Sequence, residues 1–266
     1  MTWLEFWDRP HAIYANQRNL EAHFSRLAAD LEPYVPRDPA ARVLDWGCGD
    51  ALTAPRIAEQ VGQLHLYDGA AAVRARVRQR HRRLRNVTVL DEAGVAAIPA
   101  GSIDLIIVVS VLQYLDRQQL QAAFAAWRRL LHPQGELLIA DVIDPATSTF
   151  DDVASQLRFA ADEGFLLPAV MGLARLALSD YAQTRRRAGF ATYAKDEMLT
   201  LLRQAGFHAA ALHRNIGPTA HRHAFLAIKP APQPAAEETA DIAAGGEDLP
   251  TLRIPPGHAD DERPVP

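Results

Sequence analysis

Apolar positions along this chain change period, and each change marks an element. Ile13, Leu20, Phe24, Leu27 and Leu31 fall at helical spacing and Pro33 and Pro36 close the segment. Residues 1–41 therefore read as an amphipathic N-terminal helical segment, led by the aromatic cluster Trp3, Phe6 and Trp7. From Arg42 the pattern shortens. Arg42 to Asp45 reads as a strand entering a glycine turn, Leu52 to Val61 as a helix, and Leu64 to Tyr67 as a strand ending at Asp68. A helix over Ala70 to Leu84 and a strand over Val87 to Leu90 follow. Ile103 to Val109 is an almost unbroken apolar run, the pattern of a strand buried on both faces of a parallel sheet.

Asp116 and Gln119 form a capping box for a helix whose stripe is Leu120, Phe124, Trp127 and Leu131. Pro133 and Gly135 stop it, and a strand over Glu136 to Val142 comes next. Strands alternating with helices at this pitch predict an α/β fold: a Rossmann-like open, mostly parallel sheet with helices on both faces. Ligands of such sheets sit beyond the carboxyl ends of the strands, where Asp45, Asp68, Asp91 and Ser110 fall.

The alternation breaks at about residues 144–193, a stretch too long for a bare connection. Helical signals there, with Phe165, Leu166, Leu167, Met171 and Leu173, predict a helical cap over the sheet edge and a partly apolar acceptor pocket. A helix over Asp196 to Ala205, ended by Gly206, and strands over Ala209 to Asn215 and Ala224 to Ile228 complete the domain, 42–229. Residues 230–266 lack aromatic residues and mix proline, alanine and acids, so a disordered tail is expected.

Composition narrows the class. A net charge of −4 gives no global attraction to nucleic acid, so no nucleic-acid partner is expected. The arginines from Arg74 to Arg85 splay around a helix that also carries Val73, Val77 and Leu84, the pattern of a solvated face. The single cysteine, Cys48, excludes an intrachain disulfide. No basic, then apolar, leader opens the chain and no transmembrane segment is evident, so a cytoplasmic protein is expected. The oligomeric state is not legible.

The candidate chemistry lies in VLDWGCGDA, Val43 to Ala51. Glycine turns after a strand ordinarily cradle phosphates, yet Asp45 would repel a diphosphate. With Asp45, Gly47 and Gly49 on the first turn and Asp68 ending the second strand, the chain resembles class I S-adenosylmethionine-dependent methyltransferases. The segments SIDLIIVVSVLQYL, LHPQGELLIADV and LLRQAGF extend the resemblance. It implies a seven-stranded sheet with the last strand antiparallel, and S-adenosyl-L-methionine as cofactor, a ligand without phosphates that carries an ammonium and a sulfonium. It also implies a role for Asp45 near the methionine amino group, close backbone approach at Gly47 and Gly49, and Asp68 with Gly69 at the ribose. Ala51 replaces the third glycine of the family motif, and Asp91 or Glu92 stands near the expected adenine acid. Ser110 closes the fourth strand at the same edge.

The reaction so implied is in-line methyl transfer to a small organic acceptor, with no metal required. A general base matters only where the acceptor arrives protonated. His221 and Tyr14 are the catalytic candidates, with His11 and Asp144 behind them; Gln113, at a turn where relatives often carry histidine, could orient a substrate. Two other readings stay open: a non-catalytic binding module of the same fold, and an NAD-dependent oxidoreductase, against which the turn GCGDAL and Asp45 both argue.

Overall fold

The computed structural model describes residues 3–8, 17–148, 154–155, 157–158, 160–161 and 189–231. Seven strands form one sheet: β1 Asp38–Trp46, β2 Val61–Tyr67, β3 Val87–Leu90, β4 Ile103–Val109, β5 Leu131–Val142, β6 His208–Ala211 and β7 His223–Ile228. Their order is β3-β2-β1-β4-β5-β7-β6. β1 to β5 run parallel, and β7 lies antiparallel between β5 and β6. The order reverses direction between β1 and β4, so the crevice beyond those two strands is the topological switch point.

The central strands bury both faces, which explains their unbroken apolar runs. Side chains alternate faces along a strand. Val43, Leu105, Ile107 and Leu138 accordingly pack on one side, with Ile57 of helix α3 (Ala54–Ala58) and Val73 and Val77 of α4 (Ala71–His81). Leu44, Ile106, Val108 and Leu137 pack on the other, against α5 (Glu92–Ala97), α6 (Arg117–Leu130) and α7 (Lys195–Gln204). The capping box opening α6 is present: Asp116 Oδ1 accepts from Gln119 N and Gln119 Oε1 accepts from Asp116 N.

The N-terminal segment contains α1 (Trp3–Trp7) and α2 (Gln17–Leu31). α2 seats Leu27 and Leu31 in the first core layer and buries Asp30, which accepts from Gly217 N at 3.1 Å and from Arg26 and Arg214. α1 is tied at both ends to the carboxyl edge of the sheet. Asp8 accepts from Ala72 N in the first turn of α4, and Trp3 and Trp7 pack on Tyr114 after β4 at centroid distances of 4.8 and 5.8 Å.

Several expected boundaries move. β1 starts at Asp38 and β2 at Val61, so the helix between them shrinks to Ala54–Ala58. β5 starts at Leu131 rather than Glu136, because β4 and β5 already pair at Ile103 and Leu131. β6 ends at Ala211, beyond which Asn215 leaves the sheet to bind the Asp141 backbone. Within the expected cap, residues 154–155, 157–158 and 160–161 are helical and 144–148 and 189–193 carry no helix or strand; the remaining cap residues, Tyr14, His11 and the tail beyond 231 lie outside the described residues. No described helix is long and apolar enough to cross a membrane.

One buried group makes stability depend on pH. Both ring nitrogens of His65, in β2, are buried without a hydrogen-bond partner among the described residues, and burial, helped by Arg42, holds the ring down to about pKa 4. The folded chain then binds fewer protons than the unfolded chain between about pH 6.5 and 4. Stability is full above that window and falls as pH drops through it, by up to about 3 kcal/mol and less where water reaches the ring. Thermal unfolding of the chain and of His65→Val across this window should show the two curves diverging in acid; a constant offset would exclude His65 as the cause.

Candidate active site

The carboxyl edge of β1 and β2 brings two carboxylates together. Asp45, one residue before the end of β1, is 8% exposed. It has no hydrogen-bond or ion-pair partner among the described residues. Burial first, and the charge of Asp68 second, raise its pKa to about 7. Asp68, just past β2, accepts from Gly49 N at 3.1 Å through Oδ2 and from Ala70 N at 2.9 Å through Oδ1. Burial raises its pKa, opposed by those two bonds and by Arg74 and Arg76. A carboxylate buried beside another, with no counterion among the described residues, suits a positively charged ligand.

The turn between these acids is shaped by its glycines. Gly47 has φ 78°, and a Cβ there would stand 2.3 Å from Val111 Cγ2, so only glycine lets the turn meet the chain leaving β4. Gly47 N and Cys48 N both donate to Tyr67 O, locking the turn onto the end of β2. Gly49, at φ 52°, would project a Cβ into open space, so that face of the turn is clear. Ala51 also has positive φ, 49°, and is buried: the small residue fits the left-handed turn that a third glycine would occupy.

The other expected contacts arrive at the same edge with their side chains partly committed. Asp91 caps α5, accepting from Gly94 N at 2.8 Å, which holds its carboxyl below the usual range. Glu92 is exposed and pairs with Arg74, which also donates to the carbonyls of Asp68 and Gly69. Arg80 donates to Asp50, so part of the arginine row braces the glycine turn. Ser110 donates its hydroxyl to Asp141 Oδ2 at 2.5 Å, so that group faces β5 rather than the crevice. Ser110 (φ 58°) and Asp141 (φ 62°) are both left-handed non-glycine residues at neighbouring strand ends. Such strain persists only where surroundings enforce it; Asp141 is held by Ser110, Arg222 and Asn215. Gln113, in the 3₁₀ turn Leu112–Tyr114, is buried, and its Oε1 has no partner among the described residues.

Further along the edge, β5 and β7 present a second arrangement. A cavity of about 430 Å³ is lined by Asp144, Thr147, Ser155, Arg158, His221 and His223, among others. His221 lines it, and beside it His223 engages a carboxylate: its Nε2 lies 2.7 Å from Asp144 Oδ2. The apolar pattern starts that strand at Ala224, whereas β7 starts one residue earlier, at His223. A polar residue opening an apolar strand at the ligand edge was the available signal. A larger cavity, about 680 Å³, lies between α6 and α7 at the opposite edge, beside Lys229 and the start of β5; it contains neither buried carboxylate.

Strand order, antiparallel β7 and the glycine turn between two edge acids define a Rossmann-like domain of the class I methyltransferase architecture. Residues 43–135 match the family model described as a methyltransferase domain. That match and the strand order support a class I S-adenosylmethionine-dependent methyltransferase domain over this part of the chain. Among solved structures, an S-adenosylmethionine-dependent methyltransferase from Aquifex aeolicus superposes with a TM-score of 0.53 at 14% identity, over 85% of this chain and 96% of that one. The N-methyltransferase NodS from Bradyrhizobium japonicum WM9, in complex with S-adenosyl-L-homocysteine, gives 0.51 at 18% identity over 86% and 97%. A chain from the complex between the Haloferax volcanii Trm112 methyltransferase activator and the putative methyltransferase gives 0.55 at 12% identity over 86% and 99%. At these identities the likeness is one of fold. No curated protein sequence matches significantly.

The residues of the crevice fit the family's methyl donor. The unpartnered Asp45 suits a cationic ligand, and Gly49 leaves the space for its close approach.

Proposed function

We propose that this chain transfers a methyl group from S-adenosyl-L-methionine to a small organic acceptor by in-line displacement. The observation that carries the reading is Asp45: a buried carboxylate with no counterion, beside a second carboxylate, on a turn cleared by glycine. A diphosphate would be repelled there, whereas an ammonium relieves the burial of both acids.

In this reading Asp45 receives the methionine ammonium, and Gly47 and Gly49 bring the turn against the ligand. Asp68 keeps one acceptor site on each oxygen beyond its bonds to Gly49 N and Ala70 N, enough for two ribose hydroxyls, with Gly69 alongside. Asp91 has its second oxygen for the adenine amino group, while Glu92 acts through Arg74. Ser110 serves by the shape of its backbone. α1 crosses the edge between α4 and Tyr114 and excludes water from the crevice. The donor supplies a methyl group already activated by its sulfonium; the chain aligns acceptor and methyl and keeps water out.

Calorimetry with S-adenosylmethionine, S-adenosylhomocysteine and NAD, side by side, tests the class. The first two should bind and NAD should not; binding of NAD alone would overturn the proposal. Incubation with methyl-labelled donor and a cell extract, followed by mass spectrometry, then tests transfer. Tight donor binding without any labelled small molecule would leave a binding module instead of an enzyme.

A further inference from the structure

His223 and Asp144 lie 79 residues apart in sequence yet form one hydrogen-bonded pair at the ligand edge. β7 runs antiparallel to β5, with Val142 opposite His223, so the first residue of β7 meets the chain just as it leaves β5. Asp144 is itself fixed, accepting from Ala146 N at 2.7 Å through Oδ1. The His223 bond and that backbone bond, in this order, hold the Asp144 carboxyl below the usual range, so it stays ionised. An ionised carboxylate on Nε2 selects the tautomer that carries its proton there. Nδ1 is then left as a lone-pair acceptor. Among the described residues no other polar partner meets the ring, which is partly exposed and lines the cavity of about 430 Å³.

This is the arrangement of a general base oriented by an acid. The cavity and the Asp45 crevice share one sheet edge, on β5 and β7 and on β1 and β2 respectively, with β4 between. Adjacent strands are about 4.8 Å apart, so β1 and β7 are separated by roughly 14 Å, a gap that the methionyl end of a donor and a small acceptor can share.

We propose that His223 is the general base of this methyltransferase and Asp144 its positioning residue. The acceptor is then a small molecule whose nucleophile arrives bearing a proton, a hydroxyl or a protonated amine. The inference rests on the methyl-transfer reading above. With a hydroxyl acceptor the proton passes to His223 Nδ1 as the carbon–sulfur bond breaks and the carbon–oxygen bond forms; with a protonated amine the proton passes to Nδ1 first, which frees the lone pair that then forms the carbon–nitrogen bond as the carbon–sulfur bond breaks. The sulfonium charge is thereby exchanged for an imidazolium, which Asp144 stabilises and which later releases its proton to water. Arg158, in a helical position, and His221, before β7, line the same cavity. Arg222, next in sequence, is paired with Asp141.

The test uses the full chain, methyl-labelled S-adenosylmethionine and a protein-free small-molecule cell extract, with the labelled product identified by mass spectrometry. Label on an oxygen or nitrogen that bore a proton is expected; a labelled quaternary ammonium or sulfonium product, formed from an acceptor atom with no proton to lose, would overturn the proposal. With that product's precursor in single-turnover assays, His223→Ala and His223→Asn should lose on the order of 100-fold or more at neutral pH, and Asp144→Asn about tenfold. Donor affinity by calorimetry should stay within about twofold in all three, which separates a lost base from a lost fold or crevice. The His223→Ala deficit should shrink as pH rises and the acceptor ionises unaided, and added imidazole should restore turnover; a deficit constant with pH and indifferent to imidazole would reduce His223 to a structural role. In alkaline buffer, nitrogen NMR of the histidine-labelled chain should find the His223 proton on Nε2, and a proton on Nδ1 would sink the assignment. Failure of the unmodified chain to bind the donor, or to label any compound, would instead bring down the methyl-transfer reading beneath it.

Discussion

Asp45→Asn should weaken S-adenosylmethionine binding by on the order of 100-fold at about pH 8, while making the ligand-free chain more stable. Both effects have one cause. The carboxyl keeps its proton up to about pH 7 in the folded chain, against 3.8 for its ordinary value, because it is buried and faces Asp68. Between those two pH values the folded chain binds more protons than the unfolded chain. The contribution of Asp45 is therefore least unfavourable in acid, and the ligand-free fold loses stability as pH rises from about 4 to 7. A shift of roughly 3 units corresponds to at most about 4 kcal/mol, so the neutral amide should raise the melting temperature by several degrees above neutral pH and leave it nearly unchanged near pH 4. A cationic ligand reverses the balance, since its ammonium favours the ionised form.

Donor affinity of the unmodified chain should thus fall by up to about 100-fold between about pH 8 and 5, with proton release on binding near pH 7. That slope should be largely absent in Asp45→Asn. Differential scanning calorimetry without ligand and titration calorimetry with it, in buffers of different ionisation enthalpy, measure both. A variant that lost stability, or that bound the donor as tightly as the parent, would remove Asp45 from the site.

What the sequence disclosed follows from the range of the interactions involved. β4 has the boundaries that its apolar run marks, because a strand buried on both faces writes its length in apolar residues. The capping box of α6 is equally local, and it is present as read. The first half of β1 is different. Asp38 to Ala40 are exposed, and what makes them a strand is the approach of β2, where a Cβ on Gly62 would stand 2.1 Å from Pro39 O. That contact is invisible to periodicity. The crevice divides along the same line. Asp45, Gly47, Gly49 and Asp68 lie on two turns and could be read from spacing. The pairs Ser110–Asp141 and Asp144–His223 join separate strand ends, and nothing in either local segment announces its partner. Asp30 likewise reads as one acid in an amphipathic helix, and becomes a buried anchor only because Gly217 and Arg214 return to it.

Gly47→Ala should destabilise the chain by roughly 2–4 kcal/mol and abolish measurable donor binding, and the reason can be divided by a second substitution. Two costs coincide at this position. One is the left-handed backbone, φ 78°, which costs a non-glycine residue about 1 kcal/mol or a little more. The other is steric: the new Cβ would stand 2.3 Å from Val111 Cγ2, with Val111 Cβ and Cγ1 each at 3.5 Å. Relief by movement is restricted, because Gly47 N and Cys48 N are both bonded to Tyr67 O and the turn cannot slide without releasing β2. Val111→Ala deletes the clashing methyl and leaves φ untouched. The double variant Gly47→Ala/Val111→Ala should therefore be less destabilised than the sum of the single variants by about 1–3 kcal/mol, retaining the backbone cost alone. Denaturant unfolding of the four proteins closes the cycle. Additivity within about 0.5 kcal/mol would show that the turn and the segment after β4 do not touch, and the close approach that shapes the floor of the crevice would have to be abandoned.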